Sequence, residues 1–281
     1  MSIEAATETV SLEASSPYEL RVDLAKNLPE SVIKNALKTG DTGFLHSYTT
    51  GSAVDGPGVR LVGWTAGCQF KCVYCHNPDT WNLMNGIPVP IESAIEGVRK
   101  YRNGLKVMGG GFTLSGGEPL MQDRFATKLF AAVKAMDVHT AVDTNGHLGE
   151  RLSDDELRTI DLVLLCIKSI DADKHRKLVG KELGPTVDFA HRLATLKRPM
   201  WLRFVLVPGL TDDEADVRNM AKFVANLGIC ERVDILPFHQ LGSFKWERLG
   251  LNYTLANVEP PPAATIERVC QQFRAEGLEA Y

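Results

Sequence analysis

Three of the chain's six cysteines fall within ten residues, "GCQFKCVYCH" at 67–76, as Cys68, Cys72 and Cys75 in a CxxxCxxC spacing. Thiolates this close together, on a loop bounded by Gly67 and Pro78, have the chemistry of metal ligands. Two occupants compete for them. Zinc closed by His76 would give a Cys₃His set, but Cys75 and His76 are adjacent, and gripping one ion with both strains the backbone. An iron-sulfur electron carrier would ligate its cubane with four cysteines. A [4Fe-4S] cluster held by Cys68, Cys72 and Cys75 alone leaves one iron without a protein ligand, and that position can hold a substrate. Cys166, Cys230 and Cys270 lie in apolar stretches and read as small buried hydrophobes.

The loop must be carried by something rigid, and the sequence around it supplies a frame. Short apolar runs, "VRLVGWTAG", "GFTLSGGEP", "HTAVDTNG", "LVLLCIKS", "MWLRFVLVPG" and "RVDILPFHQ", alternate with stretches of helical period. Helices are predicted near 91–101, 122–136, 153–157, 186–196, 212–227 and 263–277. Strands apolar on both faces, each followed by a helix, imply an α/β fold with parallel strands in right-handed βαβ units. Nearly every predicted strand ends in Gly, Pro, Asp, Lys or His. This favours a partial (β/α)6 TIM-like barrel, whose carboxyl ends ring one cavity, with the cysteine loop after the first strand. Residues 1–43 have no sustained period beyond a short amphipathic "SVIKNALK" and read as an N-terminal extension of unknown role; 44–281 read as the core domain.

The composition narrows the partners. With 281 residues, 44% of them hydrophobic, the chain can bury one large core. A net charge of −4 offers no broad basic field for nucleic acid or anionic lipid. No apolar run is long enough to span a bilayer, and the glutamates of "MSIEAATETVSLEASSP" do not suit a leader, so a cytoplasmic location is expected.

Beyond its chemistry, the loop resembles a known family. CxxxCxxC after the first strand, with Tyr74 before the last cysteine, resembles the radical S-adenosylmethionine superfamily. "VDGPGVR", "CHNPDTW", "SGGEP", "DTNG", "VPGLTDD" and "ILPFHQLGSFKW" narrow the resemblance to the activating enzymes of pyruvate formate-lyase. It runs from about His46 to the C-terminus. The resemblance implies a [4Fe-4S] cluster whose open iron is chelated by S-adenosylmethionine. Reductive cleavage would then give a 5'-deoxyadenosyl radical that takes a hydrogen atom from a glycine of pyruvate formate-lyase. It also implies flavodoxin or ferredoxin as electron donor, and a monomer is expected.

Several residue roles follow from the resemblance alone. Gly116, Gly117 and Glu118 would lie beside the methionine moiety, and Tyr74, Cys75 and His76 beside the adenine. Cys166, Ile167, Lys168 and His239 would line the S-adenosylmethionine pocket. Asp55 would lie near the partner's glycine, and Arg203 would contact substrate or pair with a barrel carboxylate. Asp143 and Thr144 resemble a monovalent cation site, but Cys166 stands where the family has an aspartate ligand. A thiol is a poor ligand for a hard cation, so either the site is weaker or water and carbonyls complete it. Related activases with a cysteine-rich insertion are disfavoured, since no cysteine lies between Cys75 and Cys166. A small-molecule radical enzyme, an iron-sulfur sensor and a zinc-stabilised binding module remain open.

Overall fold

The computed structural model describes residues 20–281, so residues 1–19 of the expected extension lie outside the described residues. It divides into two compact units. One comprises 20–69, Asp79–Asp143 and Leu152–Asp161; the other comprises Phe70–Pro78, Thr144–Arg151 and Leu162–Tyr281.

The first unit is built on runs that alternate little because both of their faces are covered. It contains α1 (Glu30–Thr39), β1 (Thr42–Ser52), β2 (Arg60–Thr65), β3 (Ile87–Pro90), α2 (Ile91–Val107), β4 (Gly111–Gly116), α3 (Asp123–Ala135), nearly all of β5 (His139–Thr144) and α4 (Asp154–Leu157). The strand order is β3-β1-β2-β4-β5. β2, β4 and β5 run parallel, with Val62 opposite Thr113 and Phe112 opposite Thr140. β1 pairs antiparallel with both β2 and β3. Val62, Phe112, Leu114, Ala141 and Val142 are fully buried, as are Leu129, Phe130 and Val133 of α3. Each of the valine, leucine and phenylalanine side chains contributes roughly 1.5–3 kcal/mol when taken out of water. The described part of the extension belongs to this unit: Arg21 Nη1 donates to the His46 carbonyl at 3.0 Å and Asp23 N to Asn85 Oδ1 at 2.9 Å.

The second unit contains β6 (Leu162–Leu165), α5 (Ala172–Val179), α6 (Gly184–Thr195), β7 (Met200–Leu206), α7 (Glu214–Leu227), β8 (Cys230–Pro237), α8 (Ser243–Arg248) and α9 (Ala263–Ala275). β6, β7 and β8 run parallel in that order, and Arg203 stands in register with Asp234. All four residues of β6 are buried, and Phe204 of β7 meets Phe273 of α9 at 5.9 Å between ring centroids.

The α/β class with parallel strands is therefore as the alternation of apolar runs implied, and all six expected strands form. β1 and β3 were not anticipated. β1 changes from buried to exposed along its length, and "IPVP" is only four residues, so neither gives a clear period. α5 and α8, eight and six residues long, fall below the length at which a 3.6-residue period can be read. α2 runs six residues beyond its expected end at Tyr101, to Val107. Among the described residues, no helix is long and apolar enough to cross a membrane.

Candidate functional site

In the first unit, hydrogen bonds continue past the ends of β2 and β4 and hold the first cysteine against "SGGEP". Gly117 N donates to the Thr65 carbonyl and Glu118 N to the Gly67 carbonyl, both at 2.8 Å. Gly67 N and Cys68 N donate in turn to the carbonyls of Thr80 (2.7 Å) and Trp81 (3.1 Å). Gln122, a residue the sequence did not single out, bridges the Phe44 and Ala66 carbonyls through its Nε2 and accepts Phe44 N at its Oε1. Its buried amide has every hydrogen bond it needs to fix the base of the cysteine loop. Glu118 is completely buried, and its Oε1 accepts Leu120 N at 3.0 Å, capping the short turn that Pro119 begins. At the carboxyl end of β5, Asp143 accepts a hydrogen bond from Ser115 Oγ at 2.9 Å.

Asp55 lies elsewhere in this unit. Its carbonyl accepts Thr113 Oγ1 at 2.7 Å, in the amino-terminal half of β4 rather than at the rim with Cys68, Gly117 and Asp143. Its carboxylate accepts Ser52 Oγ at 2.6 Å, and the residue is 5% exposed. Arg60 organises this turn from a fully buried position. Its Nε donates to Thr113 Oγ1 at 2.9 Å, Nη2 to the Phe112 carbonyl at 2.7 Å and Nη1 to the Pro57 carbonyl at 3.3 Å. Burial lowers the Arg60 pKa to about 10, with Asp161 and Asp55 opposing the shift, so the guanidinium stays charged at neutral pH. Arg60 closes the "VDGPGVR" motif, but its burial was not foreseen, because an arginine opening a strand usually lies at the surface.

The second unit holds the rest of the loop. Cys75 N donates to the Cys72 carbonyl at 3.0 Å, closing a turn around the second and third cysteines. The turn leans on α5: Lys71 N and Val73 N donate to the carbonyls of Val179 and Leu178, each at 3.0 Å. Burial pushes the Cys72 thiol pKa up, while the positive charge of Lys168 favours its thiolate. Tyr74 is 8% exposed, and its hydroxyl has no hydrogen-bond partner among the described residues. Burial also raises its pKa. The His76 and His239 rings meet edge to face at 4.8 Å. Cys166, Ile167 and Lys168 follow directly on β6, and Cys166 N donates to the Thr144 carbonyl at 2.9 Å.

Phe70, beside the loop, packs edge-on against His147 and His175 at 5.3 and 5.6 Å. His175 is fully buried, and burial lowers its pKa to about 4. An unfolded histidine takes up a proton as the pH falls through about 6.5. The native chain resists that proton until about pH 4, so stability declines across this window as the pH is lowered. The urea midpoint of the parent is therefore expected to fall between pH 7 and pH 5 more steeply than that of His175→Leu. Parallel declines would show that another group carries the dependence.

In the second unit, the Cys72 and Cys75 thiols, the cation beside Cys72 and the Tyr74 hydroxyl, which has no partner among the described residues, suit an anionic iron-sulfur cluster. Comparisons agree. The profile of a 4Fe-4S single cluster domain matches residues 54–181. The pyruvate formate-lyase-activating enzyme of Staphylococcus epidermidis is 41% identical over 242 residues, covering 84% of this chain and 96% of that protein. Among solved structures, a domain of the pyruvate-formate lyase-activating enzyme from Bacteroides vulgatus is 26% identical with a TM-score of 0.52, over 62% of this chain and 98% of that one. A radical SAM methyltransferase from Sphaerobacter thermophilus shares the fold at 17% identity, with a TM-score of 0.54, over 91% of this chain and 82% of that one. With this identity spread over most of both sequences, and the cysteine loop and "SGGEP" joined at its centre, the chain belongs to the radical S-adenosylmethionine family of pyruvate formate-lyase-activating enzymes.

Proposed function

We propose that the chain activates pyruvate formate-lyase by removing a hydrogen atom from the Cα of one glycine in that enzyme, leaving a glycyl radical. The likeness to activating enzymes across 84% of the chain carries this reading. When bound, a reduced [4Fe-4S] cluster and S-adenosylmethionine supply the electron and the carbon radical that takes the hydrogen.

The protein's share is to bind, orient and exclude. Cys68, Cys72 and Cys75 are the cluster ligands as thiolates, and the Lys168 charge beside Cys72 offsets the cost of burying that thiolate. Gly116 and Gly117 leave the main chain bare for the methionine moiety, and Glu118 is a second contact there. Tyr74, Cys75 and His76 take the adenine, where the Tyr74 hydroxyl would find the partner it lacks. Ile167, Lys168 and His239 wall the same pocket. Asp143, held by Ser115, and Thr144 are candidate oxygen ligands for a monovalent cation, to which the Cys166 thiol adds little. Asp55 contributes to glycine docking through the turn it stabilises, and Arg203, in register with Asp234, either contacts substrate or pairs with a barrel carboxylate. A flavodoxin or ferredoxin donates the electron, and the enzyme acts as a cytoplasmic monomer.

The test mixes the anaerobically reconstituted, reduced protein with S-adenosylmethionine and pyruvate formate-lyase and records the electron paramagnetic resonance spectrum. A glycyl doublet on the partner is expected. A doublet only on a different glycyl radical enzyme would overturn the assigned partner while sparing the chemistry, and a colourless zinc protein would overturn both.

A further inference from the structure

The segment after β8 does more than close the second unit. Within 239–258 it meets three consecutive residues of the cysteine loop. Trp246, 6% exposed on α8, donates its indole Nε1 to the Cys75 carbonyl at 2.9 Å. Lys245, 8% exposed, donates Nζ to Asn77 Oδ1 at 2.8 Å. Between them, Gly242 lies flat against His76: a Cβ there would sit 2.5 Å from the His76 carbonyl oxygen and 2.6 Å from its ring Cδ2. The His239 ring meets the His76 ring edge-on.

The segment is itself braced. Gln240 Nε2 donates to the Leu255 and Val258 carbonyls at 2.7 and 2.8 Å, and Tyr253 packs against Trp246 at 5.0 Å between ring centroids. Such spending of buried polar groups on one short loop is unusual, because a lysine is seldom buried unless paired and a buried indole N–H needs an acceptor. A loop carrying only a metal ligand at Cys75 needs its sulfur placed. Here the carbonyl of Cys75, the main chain and ring of His76 and the side chain of Asn77 are placed as well.

We infer that residues 239–258 form a strap, and that Trp246 and Gly242 are positioning residues for an adenine nucleoside. They fix the Cys75 carbonyl and the His76 ring in the arrangement that receives the base. Pre-set contacts raise affinity because little remains to be ordered on binding. The inference rests on the reading of Tyr74–His76 as adenine contacts of bound S-adenosylmethionine.

The experiment uses the reconstituted holoenzyme and two variants, Trp246→Phe, which keeps an aromatic ring but loses the N–H, and Gly242→Ala. S-adenosylmethionine is titrated while the spectrum of the reduced cluster reports its binding. Trp246→Phe removes the indole donor from the part-buried Cys75 carbonyl, a loss of about 1–1.5 kcal/mol, so affinity is expected to fall by roughly 5- to 12-fold. Gly242→Ala, whose methyl would meet His76, lowers it as well. Iron per chain and the ligand-free cluster spectrum stay with the parent. Affinity within about twofold of the parent in both variants (~0.4 kcal/mol) would overturn the strap. So would iron lost in step with binding, which would make these residues cluster supports only. If Gly242→Ala does not fold, Trp246→Phe decides alone. If the parent itself fails to bind S-adenosylmethionine, the proposed function falls along with the strap.

Discussion

Replacing Cys68, Cys72 or Cys75 with alanine is expected to reduce S-adenosylmethionine cleavage to background, whereas Cys230→Ala and Cys270→Ala retain it. The contrast follows from where the six thiols lie. The first three share one loop, half-buried, with the main chain of that loop fixed by Thr80, Trp81, Leu178 and Val179. A cubane bound by three sulfurs has none in reserve, so losing one frees a second iron and exposes the cluster to loss. Cys230 instead points its thiol at the Arg232 carbonyl at 3.2 Å, and burial raises its pKa, which keeps it protonated and inert. Cys270 is buried on α9 and acts as a small apolar filler, so its alanine variant loses about 1 kcal/mol of stability without losing iron. Iron per chain, brown absorbance and 5'-deoxyadenosine release, measured side by side on anaerobic preparations, separate the two groups. Full cleavage by any one of the first three variants would remove the three-sulfur site.

The parts of this site that were legible in the sequence are those whose chemistry is local. A cysteine spacing is a property of ten residues, and glycines followed by a carboxylate and a proline announce a strand end wherever they occur. Both landed at the carboxyl ends of parallel strands because βαβ handedness leaves few alternatives. What stayed hidden depends on partners distant in the chain. Trp246 lies 171 positions from the Cys75 carbonyl that it binds, and Gln122 lies 78 from Phe44. No window of sequence contains such a pair. Arg60 illustrates a different limit: an arginine's charge usually keeps it at the surface, and the convergence of Thr113, Phe112, Pro57 and His139, three of them remote in sequence, makes its burial tolerable. Asp55 was expected near the partner's glycine, and the structure engages both its carboxylate and its carbonyl in holding a turn.

Gly117→Ala is expected to produce the largest combined loss of stability and cofactor. A Cβ at this position would overlap the Gly67 carbonyl and come within 3.0 Å of the Thr80 carbonyl oxygen, both backbone groups with no rotamer by which to escape. The Gly67 carbonyl already accepts Glu118 N, and Gly67 directly precedes Cys68. Strain introduced on the "SGGEP" side therefore reaches Cys68, the first of the proposed cluster ligands, through a single peptide unit. Overpacking of this kind costs about 1–3 kcal/mol, and each kcal/mol lowers the melting temperature of a chain this size by roughly 2–4 °C. Disturbing a ligand's supports costs a further 10- to 100-fold, roughly, in metal affinity, so iron incorporation and S-adenosylmethionine cleavage should fall together. Gly97→Ala provides the control. It lies within α2 with open space around the new methyl, and the change should stabilise the chain by about 0.4–1 kcal/mol through helix propensity alone. Melting curves and iron content of the two variants, run against the parent, read both arms. If Gly117→Ala kept its iron while melting lower, the hydrogen bond between Glu118 and Gly67 would be a matter of stability alone, with no hold on the cysteine.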